Sequence, residues 1–231
     1  MKPRILLAGA LAMATALPAF AAEGDPIYNY TLLEADIAEI DDETVGAWDA
    51  QGWVGGDYNR FWWKTEGEFA DGDFADAEVQ ALYSRYISKF WDAQFGVRYD
   101  LEPKGESYGV IGLQGLAPYF FEVDAVAFVS SSGDLSARFE ATGELLFTQR
   151  LILEPGIALD FSAKDDPTRQ IGSGLSTAEY SAQLRYEFTR EFAPYVELAY
   201  EEAYGDTADF QRAETGSADD TVVKIGVRTM F

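Results

Sequence analysis

From about residue 28 to the last residue the chain alternates between apolar and polar positions. Ala178, Tyr180, Ala182, Leu184, Tyr186 and Phe188 are apolar, while Glu179, Ser181, Gln183, Arg185 and Glu187 between them are polar. A period of two marks a strand with one face in an apolar medium. Trp91 to Leu101 repeats the pattern, with Trp91, Ala93, Phe95, Val97, Tyr99 and Leu101 on one face and Asp92, Gln94, Gly96, Arg98 and Asp100 on the other. Leu135 to Thr148 and Thr221 to Phe231 follow it too. Strands of soluble sandwiches average about five or six residues. These runs reach the length at which a tilted strand crosses a bilayer, about 9–11 residues. Helical periodicity is hard to find. The pattern predicts an all-β fold, an antiparallel transmembrane barrel of the outer-membrane type.

Apolar-alternating segments lie near 28–40, 45–54, 57–69, 76–88, 91–102, 107–116, 119–130, 134–148, 150–163, 176–189, 192–205 and 220–231. That predicts twelve strands, or ten if the first hairpin stands outside the wall. Short turns are expected at Ser88–Lys89, Ala117–Pro118, Gln149 and Arg190–Glu191. Long polar connections are expected at Phe69–Phe74, Pro103–Glu106, Lys164–Gly174 and Gly205–Asp219. Short periplasmic turns and longer external loops are the habit of such barrels. Phe90, Trp91, Tyr119, Phe120, Phe121, Phe192 and Tyr195 gather beside the short turns, where an interfacial girdle belongs. Pro155 inside a strand removes a ladder donor and predicts a bulge. Arg85 falls on the lipid-facing parity, which an interfacial position tolerates by snorkelling. At Glu201–Glu202 the alternation breaks, as expected where a strand leaves the membrane.

Lys2 and Arg4, the apolar stretch Ile5–Leu17, and Ala19-Phe20-Ala21 read as a secretory signal peptide, residues 1–21, cut after Ala21. The barrel would then occupy 22–231. Losing Lys2 and Arg4 takes the net charge from −23 to −25. Such acidity disfavours nucleic acid as a partner. The final Phe231, on the apolar face of a closing strand, resembles the signal read by the barrel-assembly machinery, with Thr229 where an aromatic is usual. The other environment expected to touch the wall is outer-membrane lipid and lipopolysaccharide. Acidic loop residues Asp41, Asp42, Glu43, Asp71, Asp73, Asp76, Asp165, Asp166, Asp219 and Asp220 suit bridging to lipopolysaccharide through divalent cations. The spacing of Asp71-Gly-Asp73 does not match a calcium loop.

Histidine and cysteine are absent from the sequence. The common ways of activating a serine or a water need histidine, so no catalytic residues and no enzyme activity are expected. Parity turns a set of charges away from the lipid: Arg60, Lys64, Glu66, Glu68, Arg98, Asp100, Glu122, Asp124, Arg138, Glu140, Glu144, Arg185 and Glu187. They read either as salt bridges plugging a narrow barrel or as the lining of an ion path. Twelve strands enclose more space than eight, which side chains already fill.

Several stretches resemble the copper resistance protein B family of outer-membrane proteins. They are Trp48-Asp-Ala-Gln-Gly-Trp53, Gly56-Asp-Tyr-Asn-Arg-Phe-Trp-Trp-Lys-Thr-Glu-Gly-Glu68, and Phe90-Trp-Asp-Ala-Gln-Phe-Gly-Val-Arg-Tyr-Asp100. Gly115-Leu-Ala-Pro-Tyr-Phe-Phe-Glu122, Leu146-Phe-Thr-Gln-Arg-Leu-Ile-Leu153, Gly172-Ser-Gly-Leu-Ser176 and Arg190-Glu-Phe-Ala-Pro-Tyr195 complete the set. The resemblance implies a barrel serving copper tolerance, as a conduit or as a partner of periplasmic copper proteins such as a multicopper oxidase. The alternative from the residues alone is a structural barrel with a charge-plugged lumen. Copper ion is the ligand the family implies, yet no metal ligand set is evident. Family members often carry a Met- and His-rich stretch before the barrel, and residues 22–47 contain no Met, His or Cys. Met230 is the one soft ligand after residue 21, so no tightly bound cofactor is expected.

Overall fold

The computed structural model describes residues 26–40, 43–70, 73–167 and 169–231. The proposed signal peptide and Asp41, Asp42 and Asp71 lie outside them. The strands are β1 (Tyr28–Ile40), β2 (Glu43–Gly55), β3 (Asn59–Ala70), β4 (Asp73–Ser88), β5 (Trp91–Glu102), β6 (Glu106–Leu116) and β7 (Glu122–Ser130). There follow β8 (Leu135–Thr142), β9 (Leu145–Leu146), β10 (Leu151–Ser162), β11 (Gly174–Tyr186), β12 (Phe192–Ala203) and β13 (Asp219–Met230). β8 and β9 are two pieces of one stave, because both pair with β10. The result is a closed twelve-stave antiparallel barrel. The first hairpin belongs to the wall, and β2 runs thirteen residues, beyond the expected 45–54.

Closure comes from β1 against β13, with Leu32 opposite Met230 and Ala38 opposite Lys224. Thr31 and Phe231 add a reciprocal pair of backbone hydrogen bonds at 3.0 and 2.9 Å. A closed sheet leaves no edge, which is the condition for strands to lie in hydrocarbon. Its outer surface is apolar and exposed: Ile111 is 64% exposed and Ile225 60%. Val97, Leu113, Val196, Leu198 and Val223 continue this surface. At the short-turn end Tyr28, Tyr58, Phe90, Tyr119, Phe120, Phe147, Phe188 and Phe192 are exposed together. Arg85 sits there, opposite Asn59 at the foot of β3. A cation on the lipid face costs about 2–4 kcal/mol at the bilayer midplane and about 0–1 near the interface.

Four expectations are corrected. The long loop at Phe69–Phe74 is instead a continued hairpin, with Phe69 opposite Phe74 and Ala70 opposite Asp73. The Pro103–Glu106 connection, by contrast, stands within one residue of its expected place, since β5 ends at Glu102 and β6 starts at Glu106. Strand 119–130 begins only at Glu122, because Pro118–Phe120 form a 3₁₀ turn with Tyr119 and Phe120 at positive φ. The Gly205–Asp219 loop contains a helix, α1 (Gly205–Glu214), whose Ala208 packs with Ala203 and Ala218.

The bulge expected at Pro155 is the fourth. Pro155 stays in register with Ala182, and the shift lies between Asp160 and Phe161. The proline acts on the other edge. The Gly143 amide donates to the Pro155 carbonyl at 3.0 Å, and Pro155 has no amide hydrogen to return. The stave breaks into β8 and β9 at that point.

Candidate functional site: the barrel lumen

The inward parity of the staves puts two kinds of surface inside. On the β3–β7 side Trp62, Leu82, Tyr108, Val110 and Phe128 form a buried apolar cluster, with Trp53 and Val126 against it. Leu82 is 1% exposed and Gln94 on the neighbouring stave 0%. Around β10–β13 and β1–β2 the inward positions are mostly charged or polar: Glu34, Asp36, Asp49, Glu154, Asp160, Glu179, Gln183, Glu197, Lys224 and Arg228.

Ion pairs tie the two sides across the interior. Arg138 on β8 donates to Glu66 on β3 at 2.6 Å and also reaches Asp160 at 3.1 Å. Those staves lie almost opposite each other in the strand order. Glu140 stands 4.0 Å from the Arg138 guanidinium. Lys64 on β3 pairs with Asp124 on β7. Arg60 donates to Asp92 at 2.8 Å and its guanidinium lies 4.7 Å over the Trp53 ring. Arg98 binds Glu78 and Asp100, both at 2.6 Å, with Glu78 2% exposed. Near the short turns Arg185, 4% exposed, is clamped by Glu144 and Glu154 and lies 3.8 Å from Glu187. Arg228 joins Glu154 at 3.2 Å and Glu34 at 3.6 Å. Charged hydrogen bonds of this kind are shorter and stronger than neutral ones.

Two of the sequence-selected residues stay outside this network. Glu68 and Glu122 are exposed and make no ion pair or hydrogen bond among the described residues. Glu68 faces Lys224, Asp36, Asp76 and Glu179. Glu122 stands at the short-turn mouth near Glu154 and Glu144. Asp49 is likewise without a partner, facing Glu66, Glu34, Glu140 and Lys64. Sequence reasoning selected neither Glu78, Asp160, Glu154, Lys224 and Arg228 nor the loop residue Arg169. Parity could have placed the first five, but their partners lie on distant segments. Arg169, in a connection, carries no periodic signal.

A cavity of about 630 Å³ occupies the half of the lumen towards the short turns. Its wall runs from Phe90, Trp91, Leu116 and Glu122 at the mouth to Glu66, Glu78 and Arg138 at mid-height. Arg60 Nε, Trp62 Nε1 and Asp124 Oδ1 are buried against it without protein partners. Polar atoms left unsatisfied beside a roomy polar cavity are sites for water. No group of three or more carboxylates among the described residues is arranged to hold a metal ion.

The sequence pattern of the family described as Copper resistance protein B precursor (CopB) matches residues 29–231. The chain belongs to this family. A Copper resistance protein B homolog from Pseudomonas syringae pv. tomato (strain ATCC BAA-871 / DC3000) is 41% identical over 194 residues, 84% of this chain and 66% of that protein. Copper resistance protein B from Escherichia coli is 36% identical over 210 residues, 90% of this chain and 71% of that protein. This copper resistance protein B family member thus spans about two thirds of the length of those relatives. Among solved structures the KdgM porin superposes with a TM-score of 0.55 at 13% identity, covering 88% of this chain and 99% of that one. The NanC porin gives 0.57 at 13% identity, covering 87% and 98%. These establish the outer-membrane barrel fold.

Proposed function

We propose that this protein serves copper resistance as an outer-membrane cation conduit, with the short turns in the periplasm and the lumen loading from that side. The observation that carries the reading is the cavity reaching the short-turn mouth, lined by more carboxylates than cations, in a member of this family. Asp49 and Glu122 face it beside the paired Glu34, Glu66, Asp92, Asp124, Glu140 and Glu154. Low-dielectric walls focus such a field and raise the local concentration of cations.

The donor set fits passage better than storage. Cu(I) prefers thiolate or thioether and Cu(II) imidazole, while carboxylates suit harder ions. Met230 is a lone thioether, and the sequence has no His or Cys. A copper ion would be cargo, held weakly by oxygen and handed on, with no residue arranged for chemistry on it. A periplasmic copper protein such as a multicopper oxidase would supply or accept the ion. Lipid and lipopolysaccharide would surround the wall, and the barrel-assembly machinery would insert it.

A second reading is favoured by one feature. Glu66–Arg138 and Lys64–Asp124 cross the lumen and could make it a braced, closed cylinder. Copper sensitivity of a deletion strain separates the two. Restoration by the wild-type gene and partial failure with Asp49→Asn/Glu34→Gln supports the conduit. Unchanged sensitivity on deletion supports the brace. Purified protein should bind Cu(I) no more tightly than an unrelated barrel. A stoichiometric Cu(I) site in calorimetry would overturn the passage model.

A further inference from the structure

We propose that the described parts of the connection after β10, residues 163–167 and 169–173, act as a strap that constricts the long-loop mouth, latched by Arg169. This inference rests on the conduit reading for its purpose, and its test does not use copper. The strap leaves β10 and folds into a small hairpin in which Asp166 and Ile171 exchange backbone bonds at 2.7 and 3.0 Å. The Arg169 amide closes the tip on the Asp166 carbonyl at 3.2 Å, and Gln170 adopts a positive φ of 58°. Arg169 is thereby held out from the tip. Its guanidinium passes β8 and β7 to reach β5 and β6, donating to Tyr108 Oη at 2.5 Å, Glu106 at 3.2 Å and Asp100 at 3.3 Å. It also lies 5.8 Å from the Tyr108 ring centroid, and Arg98 is 5.2 Å from that ring. The latch therefore sits directly above the Arg98–Glu78 layer.

The base of the strap is anchored independently. The Gly172 amide donates to Thr207 Oγ1 at 2.8 Å, and Ser176 Oγ donates to the Gly172 carbonyl at 3.2 Å. A Cβ at Gly172 would come within 2.7 Å of the Thr207 amide, so only glycine allows α1 to seat there. The Ser173 amide donates to Asp165 at 2.7 Å. Strap and α1 form one unit fixed to β11 and β12. Among the described residues its remaining ties to the barrel are the Arg169 guanidinium, partly buried, and a solvent-exposed Lys164–Asp134 pair at 2.7 Å that is worth little in water. An arm anchored at one end, whose one partly buried charged tie at the other is Arg169, can swing when that tie is withdrawn.

The test is single-channel conductance of the purified full chain in planar bilayers with potassium chloride. Arg169→Ala is measured alone and in an Arg138→Met background, which removes one of the two deeper cross-lumen ties. The latch predicts that Arg138→Met/Arg169→Ala conducts severalfold more than Arg138→Met, while Arg169→Lys stays close to its parent. The reversed pair Arg169→Glu/Glu106→Arg should restore the narrow state, and it serves if the alanine variant does not fold, as judged by heat-modifiable gel mobility. Lys164→Ala on the same strap is the control. Equal conductance with and without Arg169, in both backgrounds, overturns the proposal. So does an equal rise with Lys164→Ala.

Discussion

Along β3–β7 the lumen wall is packed like a protein core, with Trp62, Leu82, Val110 and Phe128 in mutual contact and almost no solvent. Along β10–β2 the same inward parity carries Glu34, Asp49, Glu179 and Glu197, partly exposed, with cations for some and not for others. The first wall is stabilised by removing apolar surface from water. The second keeps its charges hydrated, because stripping an unpaired carboxylate of water costs far more than any single contact returns. One barrel can thus separate the wall that holds the fold from the wall available to ions.

The sharpest way to break this contrast is Phe128→Ala. A core aromatic truncated to alanine costs about 3–5 kcal/mol. The unfolding midpoint in denaturant should fall accordingly, with the barrel still heat-modifiable. If the cost is near zero, the β3–β7 wall is not a core. Arg138→Met comes next. It strands Glu66 and Asp160, but these are partly solvated, so an expected loss of about 1–3 kcal/mol is moderate for a charged hydrogen-bonded group. The same measurement on both variants ranks the walls. On the acidic side Asp49→Asn should change stability by less than about 0.5 kcal/mol, as substitutions free of partners do. Its effect should appear instead as reduced cation preference in reversal potentials under a salt gradient. An unchanged preference would show that the carboxylate wall does not set the field.

The smallest effect concerns the strap. Hydrogen bonds from the Ser173 hydroxyl and then its amide hold Asp165 below the usual carboxylate range. A lowered folded-state pKa contributes stability above the unfolded value, and that stability is lost as pH falls through the folded one. Amide protection factors of the strap, with the intrinsic pH dependence of exchange divided out, should therefore be unchanged between pH 7 and 5, on the order of one unit above the free aspartate value of about 3.9, and fall only in more acidic buffer. Loosening already near neutral pH would show that Asp165 does not fasten the strap.

The wall was legible in the sequence because a two-residue period survives wherever one face meets lipid. Every stave from β1 to β13 sits within a few residues of its expected place. What escaped has identifiable causes. On β6, Tyr108 and Val110 point inward while Ile111 and Leu113 point outward, so both faces are apolar and the core wall left no pattern. Helix α1 is short, lacks a side-chain cap at Tyr204, and reads as one more acidic loop. The lumen charges were legible as a set, but their partners were not. Glu66 and Arg138 lie 72 residues apart, and only closure of the sheet decides who meets whom.

One missing proton gives the barrel a soft point. Because Pro155 cannot donate, the rung opposite Gly143 carries one backbone bond where a hydrogen-bonded pair in an antiparallel ladder exchanges two. The wall there is bridged instead by the Arg185 guanidinium between Glu144 and Glu154. That stave can bend about its middle while the staves on either side stay zipped. Deformation of the cylinder under lateral pressure would concentrate at Gly143, as a crease rather than a tear.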